Sequence, residues 1–461
     1  MLGFWARVYA LFNKVVGPVH SGLLWLGRNW ARVRRILRVL RPAWLAGLLV
    51  LGVSAALHHP QALDALVDIA QKGALAENHV SLFLAVLAVA LCGWYFPRAL
   101  LYVKYWFTPE PDPPRAGDDR LPDLVDMDGL RVWVPRLLGF APILSLALAF
   151  FRKDAVGFCV FYLLVAVVFG LFLRVRHKLI KKPGQLLPAL PFGTAINLTL
   201  ILLVSLVLLI VFLRSPVRFP QLLGPMAIVV YAAASWIAFG SAVLVYFTYR
   251  YEAPSMIVIG LVVIAIFGQW NDNHEIRRGT DDPVAWTRSP VDEHFGRWLR
   301  HRQEEWSKRF PGGEPYPVFL VAAEGGGIRA AYWTASVLAR IEQENPGFAC
   351  HVFAISGVSG GSLGGAVFTA LTADALQDPG GYECNGSAVT NPPELLDRAR
   401  QVLGKDFLGP ALAGLFFPDL MQRFIPIGDR TFSGRFTFPD RAQYLERSWE
   451  VAWEDVTSSQ R

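Results

Sequence analysis

The stretch Phe353-Ala-Ile-Ser-Gly-Val-Ser-Gly-Gly-Ser-Leu-Gly-Gly365 decides the reading of this chain. An apolar run from Ala349 to Ile355 breaks into Gly357-Val-Ser-Gly-Gly361, and a helix-like composition follows from about Ser362 to Leu376. That order predicts a strand, a sharp turn and a helix, with Ser359 presented at the turn in a G-x-S-x-G setting. Gly357 and Gly361 remove side chains on either side, so that backbone can pass close to the serine. An overlapping match, Gly360-Gly-Ser-Leu-Gly364, would nominate Ser362, which lies a helical turn further on. Ser359 is the preferred nucleophile.

The same grammar occurs just upstream. Val318 to Ala323 is a short apolar run, Glu324-Gly-Gly-Gly-Ile-Arg329 is a glycine turn, and Ala330 to Glu344 is helix-like up to Asn345-Pro346-Gly347. Strand, turn and helix repeated twice predict an α/β layer with a parallel sheet, both turns lying at the carboxyl ends of their strands where such sheets place their sites. Three successive glycines leave bare N–H groups free to converge on one point. Gly325, Gly326 and Gly327 are therefore candidate donors to an oxyanion, an interaction of about 3 kcal/mol per donor. Arg329 is a positive anchor for the loop or for a phosphate headgroup. The turn also fits a dinucleotide fingerprint, but the second strand ends in Ile355-Ser356 where that fold needs an acid. No G-K-S/T is present, which excludes a nucleotide-hydrolase phosphate loop.

The preceding sequence has a different character. The 461 residues are 53% hydrophobic and 18% charged, and the apolar excess lies between Ala43 and Trp270. Apolar blocks at about Ala43–Leu57, Val80–Phe96, Leu137–Phe151, Ala155–Leu173, Ala195–Leu213, Pro225–Phe247 and Ser255–Trp270 predict six or seven membrane-spanning helices. Small residues in these blocks, among them Ala232, Ala233, Ala234, Ala238 and Gly240, read as helix-packing positions. No block carries an acid or base near its middle, which counts against a transporter. The expected organisation is a basic amphipathic leader (1–42), a transmembrane domain (43–270), a linker with an amphipathic helix (271–315) and an α/β domain (316–461).

Charge sorts along this plan. The chain holds 44 Lys and Arg against 37 Asp and Glu, and the leader contains Arg7, Lys14, Arg28, Arg32, Arg34, Arg35, Arg38 and Arg41 with no acid. Such a leader suits an anionic membrane surface and not nucleic acid. Six spans would place the α/β domain on the leader's side of the membrane and seven on the opposite side, and both remain open. Cys92, Cys159, Cys350 and Cys384 are too few to form a disulfide framework. His274 and His294, each flanked by acids, lack a second His or Cys at ligand spacing, so no metal site is expected.

The base that would activate Ser359 is the open term. All nine histidines lie at or before His351, so a triad in the order Ser, Asp, His cannot be completed within the chain. Glu324-Gly-Gly-Gly-Ile-Arg329 followed by Gly357-Val-Ser-Gly-Gly361 resembles the patatin-like phospholipases, which carry D-G-G-G-x-R as the oxyanion loop and G-x-S-x-G as the nucleophile elbow. The resemblance implies a three-layer α/β domain with a parallel sheet and a Ser–Asp dyad that cleaves lipid acyl esters without metal or organic cofactor. It also implies that membrane lipids are both substrate and environment. The membrane part is similar to the N-terminal half of membrane-anchored bacterial members, which implies a multi-pass protein of the bacterial inner membrane. Glu324 and Ala330 replace the family's Asp and Gly. No Asp after Ser359 is followed by Gly, so no catalytic Asp is carried over, and the base is expected in sequence beyond Arg461. The alternative is a catalytically silent membrane protein that keeps the patatin-like half-domain for lipid binding or interaction.

Overall fold

A computed structural model of the chain describes residues 36–37, 39–73, 75–107, 127–179, 192–241, 256–268, 289–377, 394–424 and 439–458. Most of the leader, the proline-rich loop 108–120 and the linker 269–288 lie outside the described residues. The chain forms two compact units. Unit one is Met1–Asn273 with Leu408–Arg441, and unit two is His274–Phe407 with Ala442–Arg461.

Unit one is helical. Its helices are α1 (Trp44–Leu57), α2 (Pro60–Lys72), α3 (Glu77–Phe107), α4 (Met127–Phe151), α5 (Val156–Leu179), α6 (Phe192–Arg214), α7 (Arg218–Leu223), α8 (Pro225–Phe239) and α9 (Met256–Phe267). Among the described residues three stretches are long and apolar enough to cross a membrane: Glu77–Leu101, Gly129–Phe151 and Val156–Val175. A fourth arises if the bent pair Arg41–Leu57 and Pro60–Lys72 counts as one span. Leu203–Arg214, Pro225–Phe239 and Val258–Phe267 are shorter apolar helices. The first predicted block is thus half of a bent element. Its 68° bend falls where His59, at ψ 140°, precedes Pro60, because the proline ring pushes the preceding residue out of the helical region.

Small residues bring these helices together. A Cβ at Gly93 would lie 3.1 Å from Val50 of α1 and 3.2 Å from the Leu138 carbonyl oxygen of α4, and one at Gly139 would lie 2.9 Å from Trp94 of α3. Ala227, Ala232, Ala233, Ala234 and Ala238 of α8 are buried, which agrees with packing as the role of these alanines. On α5, Leu164, Val167, Val168 and Leu171 are exposed, as expected of a surface facing hydrocarbon.

Unit two carries α10 (Val291–Arg309), β1 (Phe319–Ala323), α11 (Gly327–Glu344), α12 (Phe348–His351), β2 (Val352–Gly357), α13 (Gly360–Gln377) and α14 (Leu395–Leu403). The strands pair in parallel, with Ala323 opposite Gly357, so both end at the same level. Ala331, Ala335 and Leu338 of α11, Phe368 and Leu371 of α13, and Leu395 and Ala399 of α14 form its buried core. The expected strand–turn–helix repeat is present, but the sheet is two-stranded among the described residues. Leu320, Ala322, Ala354 and Ser356 are exposed, so the second covering layer of a three-layer domain is not part of the described structure.

Two boundaries differ from the expected ones. The amphipathic helix assigned to the linker belongs to unit two: α10 packs Phe295 edge-on and Trp298 at a tilt against Phe353 of β2, at ring distances of 4.8 and 5.2 Å. The segment 408–441, expected in the α/β domain, belongs to unit one. There α15 (Leu408–Gly414) packs on α7 and α8, and Phe417 meets Phe212 at 4.7 Å. Its composition, Leu408-Gly-Pro-Ala-Leu-Ala-Gly-Leu-Phe-Phe417, combines apolar bulk with small residues that permit close helix approach.

Candidate active site

Ser359 sits between the end of β2 and the start of α13 with φ 51°. A left-handed backbone is unfavourable for a residue with a Cβ, costing about 1–3 kcal/mol, and persists where surrounding structure enforces it. The enforcing contacts are backbone contacts. Val358 N–H donates to Ala323 O at 3.0 Å, tying the elbow to the end of β1. Gly361 N–H donates to Val358 O at 3.0 Å, closing the turn beneath the serine.

The glycines of the elbow are required by space. A Cβ at Gly357 would lie 2.5 Å from the Ser362 nitrogen, and one at Gly361 would lie 2.5 Å from Ala323 O and 2.6 Å from Glu324 O. Gly360, which entered the sequence analysis only as the start of the overlapping serine match, is equally constrained, because a Cβ there would collide with Gly327 O. The doubled glycine after the serine was the available signal, since a lone elbow glycine would not account for both.

The upstream loop lies against this turn. A Cβ at Gly325 would be 3.3 Å from Ser359 Cβ and 3.3 Å from Val358 O, so the loop backbone runs beside the serine. Gly326 and Gly327 have φ 155° and 64°, and Gly327 opens α11. The amides of Gly325 and Gly326 have no acceptor among the described residues. The 18-residue helices α11 and α13 both begin here, so two positive helix ends bracket Ser359. Arg329 is exposed on the first turn of α11.

The sequence-selected residues Ser359, Gly325, Gly326, Gly327, Gly357 and Gly361 are therefore gathered in one place. Ser359 is exposed, next to Val358, which is 68% exposed. Among the described residues no carboxylate or imidazole is hydrogen-bonded to its hydroxyl. Several downstream aspartates have other partners: Asp374 pairs with Arg398, Asp455 with Lys405 at 3.5 Å, and Asp419 lies in unit one with Arg441 at 2.6 Å. Among the described residues no group of three or more His, Cys, Asp or Glu could hold a metal ion.

Neither a family model, nor a curated protein, nor a solved structure matches this chain.

Proposed function

We propose that the protein is a membrane-bound serine acyl hydrolase of patatin-like type that cleaves lipid acyl esters. Ser359 attacks the ester carbonyl, and N–H groups of the Gly325–Gly327 loop stabilise the tetrahedral oxyanion, with the two helix ends adding positive potential. The observation that carries this reading is Gly325 lying against Ser359 while Ser359 holds a left-handed backbone. An apolar substrate suits the surroundings: Val358, Ile328 at the start of α11, and Trp333, which is 71% exposed, present apolar surface in this part of unit two. The general base is proposed as an aspartate, by analogy with the Ser–Asp dyad, and neither metal nor organic cofactor is invoked. The bacterial inner membrane is the proposed location.

The test is fluorophosphonate labelling of the full chain in detergent micelles. Wild type and Ser362→Ala should label, and Ser359→Ala should not. Full labelling of Ser359→Ala, or none of wild type, would remove the hydrolase reading. The second reading, a silent lipid-binding module, is favoured by one observation, the lack of an acid or imidazole partner for Ser359 among the described residues. It predicts no labelling, and an equal thermal shift of wild type and Ser359→Ala by a short-chain phospholipid.

A further inference from the structure

Asp419 is 5% exposed and Gln422 1% exposed inside a unit built of apolar helices. Both follow α15, in a π-helical stretch Leu415–Asp419 and a helical turn Leu420–Gln422. The wider π turn falls at Pro418, which has no N–H to donate. A buried carboxylate needs partners, and Asp419 has two: Arg441 at 2.6 Å and Arg423, four residues on, at 3.6 Å. The Arg441 and Arg423 side chains are 56% and 37% exposed, so the charged group reaches the surface of unit one.

Contacts within unit one place this stretch along the helices. α15 packs on α7, the short helix between the end of α6 and the start of α8, and Phe417 meets Phe212 close to the end of α6. Phe424 lies 5.7 Å from Trp236 of α8, and a Cβ on Gly260 of α9 would lie 3.9 Å from its ring. Trp236 is about 16 Å along α8 from Pro225 at roughly 1.5 Å per residue, and half the thickness of a hydrocarbon core is about 15 Å. Phe424 is therefore the deep end of the stretch. Arg423 does not follow it down. Its side chain turns back toward Asp419, and a Cβ on Gly268, just past α9, would lie 3.8 Å from its Nη1. Long cationic side chains in apolar surroundings extend in this way toward the polar boundary. By Arg441, the last residue of unit one, the chain is back at Asp419.

We infer that Leu408–Phe424 is a re-entrant membrane segment, which enters at the α7 end of unit one, reaches mid-depth at Phe424 and adds no crossing. Asp419 is the clasp that holds its entry to the returning Arg441. Irregular backbone at membrane depth is tolerated where protein covers it, as Phe212, Trp236 and α9 do here. Nothing in this arrangement depends on Ser359. The test has two arms. In the first, the full chain is unfolded thermally in detergent micelles. Asp419→Asn and Arg441→Gln should each lower the melting temperature by about 5 °C, and the double variant by little more than either, because both remove the same ion pair. Additive losses would overturn the clasp. In the second, Asp419 and Arg441 are kept and the four cysteines are replaced by alanine. Single cysteines are then placed in the full chain, in inner-membrane vesicles of either orientation from a bacterial host, and probed with a membrane-impermeant maleimide. Leu408→Cys, at an exposed position, and Pro439→Cys, at a half-exposed one, should react from the same side, and Phe424→Cys from neither. Reaction of Leu408→Cys and Pro439→Cys from opposite sides, or of Phe424→Cys from either side, would overturn the re-entrant assignment.

Discussion

Replacing Gly361 by alanine sets two effects of opposite sign against each other. Gly361 lies in the first turn of α13, where helix propensity alone favours alanine by about 1 kcal/mol. The added methyl would lie 2.5 Å from Ala323 O and 2.6 Å from Glu324 O, both backbone atoms at the end of β1. An ordinary carbon–oxygen contact is about 3.3 Å or more, so roughly 0.7 Å of overlap must be relieved by moving β1, the glycine loop or α13. Overpacking of this kind costs about 1–3 kcal/mol, and the atoms that must yield are those that hold Gly325 beside Ser359. The expected result is a net loss of up to about 2 kcal/mol, with fluorophosphonate labelling slowed about 100-fold by displacement of the loop. Thermal unfolding of the full chain and the labelling rate would be compared with wild type and with Gly312→Ala, a control with nothing within 4 Å of the new methyl. A Gly361→Ala protein more stable than wild type and labelled at the same rate would refute the packing argument at the elbow.

Two further outcomes follow from the same geometry. Ser359→Gly should raise stability relative to Ser359→Ala by about 1 kcal/mol, because glycine accepts the φ of 51° without strain while both variants lose labelling; a Ser359→Gly protein that melts below Ser359→Ala would argue against a strained elbow. Glu342, 1% exposed, accepts N–H groups of Gly347 and Ala349 at 2.7 and 2.6 Å and so pins the turn that leads into β2. Glu342→Ala should cost about 3 kcal/mol and Glu342→Gln about 1 kcal/mol, and equal melting temperatures for the two would contradict that role.

The geometry of the candidate site was legible in the sequence because it is made by backbone. Glycines in fixed order mark where chain must pass close to chain, and a serine between them marks what is presented; Gly325, Gly357 and Gly361 occupy positions where a side chain meets backbone or the serine itself. The constraint on Gly360 comes from Gly327 O, more than thirty residues away in sequence, so the doubled glycine marked a close approach without naming its partner. The reassignment of 408–441 was equally hidden, since an apolar stretch rich in small residues reads alike whether it covers a sheet or packs on membrane helices. The bend at His59–Pro60 was written in the proline, but not its consequence, that α1 is a short arm and α2 turns away from it.

What the sequence determined by itself is the division into an apolar, multi-helix part and a strand–turn–helix repeat, together with the residues of the elbow. Periodicity, glycine spacing and charge are local properties, and local properties survive in one dimension. Tertiary structure alone decided that the Gly325 loop lies against Ser359 and that α10 belongs to unit two. Each of these is a contact between residues distant in the chain. Its free energy comes from excluding solvent between surfaces that meet only once the helices and strands have packed.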